Sequence, residues 1–371
     1  MLERSAAKGW PGMAGVSRVV AALALAGTPW MSACGARSWL PADQTADDTQ
    51  NPDGASCVGT DVPLQPNVPN LYFVLDVSGS MLENDKWVNV RAAVASLVNQ
   101  VGANAKFGVT VFPAPGTNDC AAGVEVMSLR LGDSLGNTET AFMAATAITP
   151  AGGTPTAATF RSLVPKLRDL PGFTFVILAT DGGPNCDPTI TQCSVDQCTS
   201  NIDQANMCMP GGPMNCCTGI NGNVLGCLDG DATAQAVSAL RAAGVQTYVM
   251  GIPGSAPYTA VLDQVAVAGG TARPVEPLYY QVDSPDTTAL AGAFQQIADA
   301  AMKSCTLILG RAPGDPNKVN VAVDGTVVPS EGPNGWALHG QTVTLSGAAC
   351  GAVQADSAPT VHVVEGCPTV R

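Results

Sequence analysis

The chain has 371 residues, of which 46% are hydrophobic and 13% are charged, and its formal net charge is −13. This length and apolar content allow one large domain and one small one, each with a buried core. The acidic balance, with no cluster of Lys and Arg, argues against binding to nucleic acid or to anionic lipid headgroups.

Residues 1–33 have the features of an export signal. A short basic start precedes an apolar run, which Gly27, Thr28 and Pro29 interrupt before it is long enough to span a bilayer. The ending, MSAC, is similar to a bacterial lipoprotein signal, and this implies that Cys34 carries a lipid. We therefore predict an exported protein of the cell envelope or the extracellular surface, held to the membrane only by that lipid. An ordinary signal peptide is the alternative.

Residues 34–65 contain few apolar residues and are predicted to form a disordered tether. Strand-like and helical patterns then alternate through residues 66–304. The predicted strands are 71–77, 106–112, 123–129, 173–180, 245–252 and a short one near 272–281, and the predicted helices are 87–101, 137–148, 155–170, 231–244, 259–270 and 286–304. Several strands are apolar on both faces. The pattern therefore predicts a doubly wound α/β domain with a mostly parallel sheet.

An insertion, residues 182–228, interrupts this domain and contains seven of the 13 cysteines. Twelve cysteines remain beyond Cys34, and an even number behind an export signal predicts up to six disulfides. Zinc binding is the alternative. No CxxC pair occurs, and His339 and His362 lie far along the chain from the insertion, so disulfides are favoured.

We predict a Cys120–Cys186 bridge and three further bridges inside the insertion, with the adjacent Cys216 and Cys217 in different pairs. A Cys57–Cys305 clamp and a Cys350–Cys367 bridge would complete the set. Residues 305–371 consist of short strand-like runs separated by Asp-Gly and Gly turns, and we predict a small β-rich module there.

Three predicted strand or loop ends carry side-chain oxygens. The first strand runs into Asp76, Ser78 and Ser80, a loop before the third helix contains Thr154, and the strand 173–180 is followed by Asp181. Ligands of open α/β sheets bind at the carboxyl ends of the strands. As alternatives, Ser80 and Thr154 are candidate helix N-caps, and Asp181 a turn residue.

These segments, DVSGS, GGTPT and ATDGG, resemble the metal-ion-dependent adhesion site of von Willebrand factor A domains. The resemblance covers residues 66–304 except for the insertion. It implies that Ser78 and Ser80 ligate a metal ion directly, that Thr154 supplies a further ligand, and that Asp76 and Asp181 act directly or through water. An all-oxygen ligand set suits Mg²⁺, with Mn²⁺ and Ca²⁺ as alternatives.

Because only two carboxylates offset the charge of the ion, an open coordination position can accept a carboxylate from a partner. We therefore predict a metal-dependent protein-binding or adhesion module rather than an enzyme. The sequence does not indicate an oligomeric state. One alternative is a structural component of a surface assembly, in which the metal only stabilises the loop. The other is a metal-assisted hydrolase, which the absence of HExxH and GxxxxGK and the distant histidines disfavour.

Overall fold

The computed structural model describes residues 59–64, 68–205, 208, 214–219, 222–302, 305–355 and 359–371. The predicted signal peptide, Cys34, Cys57 and most of the predicted tether lie outside these ranges. No helix in the described part of the chain has the length and hydropathy needed to cross a membrane.

The described strands and helices follow the predicted order closely. The strands are β1 (Thr60–Asp61), β2 (Asn70–Asp76), β3 (Lys106–Phe112), β4 (Val124–Leu131), β5 (Thr174–Thr180), β6 (Gln246–Gly251), β7 (Tyr280–Gln281), β8 (Thr306–Ile308), β9 (Val319–Val323), β10 (Thr326–Val328), β11 (Trp336–His339), β12 (Thr342–Leu345) and β13 (Val361–Glu365). The helices are α1 (Lys86–Val101), α2 (Asn137–Ala145), α3 (Thr156–Leu167), α4 (Thr199–Ile202), α5 (Gly230–Ala242), α6 (Thr259–Gly269), α7 (Thr287–Met302) and α8 (Gly347–Ala355).

The main domain is built on a six-stranded sheet with the order β4-β3-β2-β5-β6-β7. Every neighbouring pair is parallel except β3 and β4. The central strand β2 is buried along its whole length, which accounts for its uninterrupted apolar sequence. The predicted doubly wound α/β fold is confirmed.

Alternate side chains of β2 enter two separate cores, one on each face of the sheet. Leu71 and Phe73 belong to the core that also contains apolar residues of α1 and α7. Tyr72 and Val74 belong to the core on the other face, with residues of α3, α5 and α6. Because successive strand residues point to opposite faces, this arrangement follows directly from the sequence of β2. Because β2 and β5 are parallel, the chain leaves β2 at the edge of the sheet where β5 also ends.

The predicted β-rich module is present and contains two sheets. One has the order β1-β13-β9-β10 and the other β11-β12-β8. β1 lies in the segment predicted to be tether, where Thr60 pairs with Glu365 and Val62 is buried in the core of the module. The predicted tether boundary at residue 65 is therefore wrong. The apolar Val62 and Leu64 could have indicated a strand in this segment, but two isolated apolar residues are too few to show a periodic pattern.

Val62→Ala should destabilise the small module although residue 62 is remote in sequence from most of it. Val62 is 3% exposed and packs in the core with residues of β9 and β13. Removing its two methyl groups should lower the free energy of unfolding by about 2 kcal/mol. Limited proteolysis and chemical denaturation would measure this loss. Val275→Ala, at a residue that is 68% exposed, is the control. Equal stability of the two variants would contradict the placement of Val62 in the core of the small module.

The disulfides confirm one part of the predicted pattern and overturn another. Cys120 is bonded to Cys186, and three further bridges lie inside the insertion: Cys193–Cys227, Cys198–Cys217 and Cys208–Cys216. Cys305 is bonded to Cys350, so the predicted Cys57–Cys305 and Cys350–Cys367 pairings are both wrong. Cys367 is also disulfide-bonded. The error arose because β8 and α8 bring Cys305 and Cys350 together, and α8 was not predicted.

Asp229, which precedes α5, gives the fold a dependence on pH. It is 3% exposed, and burial raises the pKa of its carboxyl to about 7, although Thr233 and Arg161 oppose the shift. A carboxyl with a higher pKa in the folded state binds its proton more tightly there, so stability falls as pH rises from about 4 to about 7. Asp229→Asn should remove on the order of 2 kcal/mol of that fall. Urea unfolding at several pH values would contradict this if both proteins lost stability in parallel.

Candidate functional site

The loop after β2 is organised by the carboxylate of Asp76. Asp76 is fully buried, and its Oδ1 accepts a hydrogen bond from the backbone N–H of Ser78 at 2.7 Å. The hydroxyl of Thr180, at the end of β5, donates to Oδ2 at 2.6 Å. Burial, with a smaller contribution from nearby Asp181, raises the pKa of Asp76 to about 7. A negative charge here is therefore unfavourable without a cation close by.

Three further predicted residues are linked in a row by two short contacts. The hydroxyl oxygens of Ser78 and Ser80 are 3.2 Å apart, and the Ser80 hydroxyl donates to Oδ1 of Asp181 at 2.9 Å. Oxygens bound about 2.1 Å from Mg²⁺ at neighbouring octahedral positions lie about 3 Å apart. The spacing and the chemistry of these oxygens therefore fit a small divalent cation.

The loop containing Thr154 lies against both of the other loops. The backbone N–H of Gly79 donates to the carbonyl of Gly152 at 3.0 Å, and the N–H of Thr154 donates to Oδ1 of Asn185 at 2.9 Å. A Cβ atom at Gly182 would lie 3.9 Å from the hydroxyl oxygen of Thr154, which places that hydroxyl beside the Asp181 loop. All three predicted loops therefore meet at one edge of the sheet.

The capping interpretations of Ser80 and Thr154 do not match the structure. Helix α3 begins at Thr156, after Pro155, so Thr154 lies outside the helix. The Ser80 hydroxyl interacts with Ser78 and Asp181 instead of with a helix terminus. Neither hydroxyl therefore caps a helix.

Lys86 is a member of this site that the sequence reasoning missed. Its ammonium group donates to Oδ2 of Asp181 at 2.8 Å, and its side chain is 6% exposed. Lys86 is the first residue of α1. A positively charged side chain is unfavourable at the N-terminal end of a helix unless an anion pairs with it. The position of Lys86 at the start of a predicted helix could therefore have identified it as the partner of a nearby carboxylate.

The insertion is fastened to the site at two points. Cys186 is bonded to Cys120, and a Cβ at Gly153 would lie only 2.7 Å from the Cys186 sulfur, so only glycine fits at position 153. At the second point, the hydroxyl of Tyr258 donates to Asp203 of the insertion at 2.6 Å. Asp203 is exposed on one side, but partial desolvation by its neighbours raises the pKa of its carboxyl, and the charge of Asp181 contributes to the rise. The insertion therefore forms part of the surroundings of Asp181.

A GxSxG string, GDSLG at residues 132–136, bears on the hydrolase alternative because this pattern also occurs around nucleophilic serines. In the structure, its Asp133 accepts hydrogen bonds from the N–H groups of Leu135, Asn137 and Thr138 at the start of α2. The hydrogen bond from the Thr138 hydroxyl, together with these backbone bonds, holds the pKa of Asp133 well below its usual range. Both histidines lie in the small module, on β11 and β13. The string serves as a helix start.

No protein-family profile and no curated protein matches this chain. Among solved structures, it is similar to the pilus adhesin SpaC from Lactobacillus rhamnosus GG in its open conformation, with 16% identity and a TM-score of 0.45 over 84% of this chain and 38% of the adhesin. It is also similar to the vWF domain of the pilus tip protein Mfa5 from Porphyromonas gingivalis, with 13% identity and a TM-score of 0.42 over 65% of this chain and 95% of that domain.

A third similar structure is proximal thread matrix protein 1 from the mussel byssus, with 14% identity and a TM-score of 0.40 over 66% of this chain and 51% of that protein. This chain thus spans about two fifths of the pilus adhesin and about half of the byssus protein. These are similarities of fold.

Proposed function

We propose that this protein is a surface-displayed binding module that holds Mg²⁺ between its three loops and uses the ion to capture a carboxylate of a partner protein. Mn²⁺ and Ca²⁺ are alternative ions. Ser78, Ser80 and Thr154 would supply hydroxyl oxygens, and Asp76 and Asp181 the two carboxylates. The ion would supply Lewis acidity toward an anionic oxygen of the partner.

The observation that carries this proposal is the cluster of Ser78, Ser80 and Asp181 oxygens at distances of 3.2 and 2.9 Å. The serine hydroxyls carry no charge, and Asp181 is already paired with Lys86, so part of the charge of the ion is left uncompensated and an additional anion binds favourably. Asp76, which is buried with a raised pKa, supports the same reading because a nearby cation would stabilise its charge. The disulfides are typical of an exported protein. A lipid on Cys34 would anchor it to the envelope.

The proposal can be tested with the immobilised protein and an extract of cell-surface proteins. We expect specific partners to be retained in Mg²⁺, released by EDTA, and not retained by an Asp76→Ala column. A control column with Asp169→Asn, at an exposed residue of another loop, should behave like the wild type. Retention that persists both in EDTA and on the Asp76→Ala column would refute the proposed mechanism.

A purely structural metal is the second candidate function, and the burial of the ligands favours it. Asp76, Ser78 and Asp181 are 0%, 2% and 3% exposed. The two candidates differ in whether the ion has an open position. Proton relaxation of water by protein-bound Mn²⁺ distinguishes them, because rapidly exchanging water on the ion indicates an open position and supports partner binding. Bound Mn²⁺ without exchangeable water would support the structural function.

A further inference from the structure

We infer that Lys86 sets the metal affinity of this site: its ammonium group opposes binding of the ion by itself and favours binding of the ion together with an anionic partner group. This inference rests on the proposed metal-binding function. It assigns to Lys86 a positioning and affinity-setting role, without direct contact with the ion.

The first step is the enclosure of the Lys86 ammonium. Its nitrogen lies 2.8 Å from Oδ2 of Asp181, 3.3 Å from the carbonyl of Ser80 and 3.6 Å from Glu83. Gly254, with a φ of +114°, approaches from the next loop so closely that a Cβ there would lie 3.2 Å from the ammonium nitrogen. The side chain is 6% exposed. The Lys86 ammonium is therefore held in place beside the metal-binding oxygens, and solvent screens its charge poorly.

The second step is the division of Asp181 between two uses. Its Oδ2 is occupied by Lys86, whereas its Oδ1 faces the hydroxyl of Ser80. Only Oδ1 is directed toward the cluster of metal-binding oxygens. Bidentate coordination by Asp181 would require loss of the ion pair, so Lys86 restricts this carboxylate to one oxygen or to a bridging water.

The third step concerns charge. Asp76, Asp181 and Lys86 are the buried charged groups of the site, and when all three are ionised they carry one net negative charge, so a divalent ion leaves them with one net positive charge. Glu83 and Asp203 lie nearby but are exposed, so they offset this charge only through solvent. The Lys86 ammonium and the metal ion are both positive and would lie on the two sides of Asp181, so they repel each other strongly in this poorly solvated environment. A partner carboxylate neutralises the excess, so the ion and the partner should bind with positive linkage.

The experiment compares Mn²⁺ binding to the full chain and its variants, with free Mn²⁺ counted by electron paramagnetic resonance. Lys86→Met removes the charge, and Lys86→Gln removes it but retains a hydrogen-bond donor for Asp181, which guards against loss of folding. We expect both variants to bind Mn²⁺ at least about tenfold more tightly than the wild type. Lys86→Arg retains the charge and should stay within about threefold of the wild type. Lys166→Met, at an exposed residue of α3, is the matched control.

Thermal unfolding supplies a second measurement. Without metal, Lys86→Met should melt at a lower temperature because Asp181 loses its partner, and Mn²⁺ should raise its melting temperature more than that of the wild type. Binding of Mn²⁺ by Lys86→Met and Lys86→Gln that is equal to or weaker than wild-type binding would overturn the inference while the proposed function stands. Binding by these variants with none by the wild type would support the inference and refute the function. No binding by any of these proteins would refute both.

Discussion

Asp76→Asn should eliminate metal binding while leaving the metal-free fold intact or more stable. An asparagine has the same shape and can keep the hydrogen bond from the Ser78 backbone, but it has no charge to attract a cation. The loss of one full charge close to the ion corresponds to at least about 4 kcal/mol, or about a thousandfold in the dissociation constant. Without metal the effect reverses, because burial already disfavours the charged form of Asp76.

Titration with Mn²⁺, together with urea unfolding in EDTA at pH 8, would measure both effects. Asp169→Asn makes the same chemical change at a side chain that is 82% exposed, and neither quantity should move. Wild-type affinity in Asp76→Asn would exclude Asp76 from the metal site. A large loss of stability in EDTA would show that Asp76 serves the fold instead of the ion.

Removing the Cys120–Cys186 bridge by a double Ser substitution should lower both stability and metal affinity. The bridge closes a sequence separation of 66 residues, for which chain entropy corresponds to about 4 kcal/mol of stabilisation. Cys186 also follows Asn185, whose side chain holds the backbone of Thr154. Without the bridge, Asn185 and Cys186 should become more mobile, which should loosen the Thr154 loop and weaken metal binding.

The Cys305–Cys350 bridge provides the matched comparison, because it spans a separation of 45 residues inside the small module. Its double Ser variant should also lose stability, but its Mn²⁺ affinity should equal that of the wild type. Calorimetric unfolding and Mn²⁺ titration of both variants would test this distinction. Equal metal affinities in the two variants would contradict the proposed link between the insertion and the Thr154 loop.

The main domain was predictable because its strands are long, apolar and separated by helices with clear periodicity. The predicted strand 106–112 coincides with β3, and the predicted helix 87–101 differs from α1 by one residue. The predicted strand near 272–281 was least accurate, since only Tyr280 and Gln281 pair with β6. Edge strands of this kind depend on tertiary contacts more than on a local pattern.

The proximity of the site residues was also predictable, because the topology of a parallel sheet brings the loops after β2 and β5 to one edge. The motifs identified Asp76, Ser78, Ser80 and Asp181, and the structure brings these four together. Lys86 escaped notice because its proximity to Asp181 depends on the turn of residues 79–85, whose left-handed Asn84 and Asp85 have no pattern in the sequence. The role of Asn185 likewise depends on how the insertion folds back on Gly153.

The pairing of residues 60 and 365 has a consequence for how the chain matures. The small module needs strands from both sides of the main domain, so it cannot close until nearly the entire polypeptide is available. The main domain can fold first from its own local βα units, and its folded state then shortens the effective loop between β1 and β13. Until β13 arrives, β13's partner β9 is an unpaired edge exposed to other chains. Expression of a chain truncated before residue 361 should therefore yield an aggregation-prone protein that retains the proposed metal site.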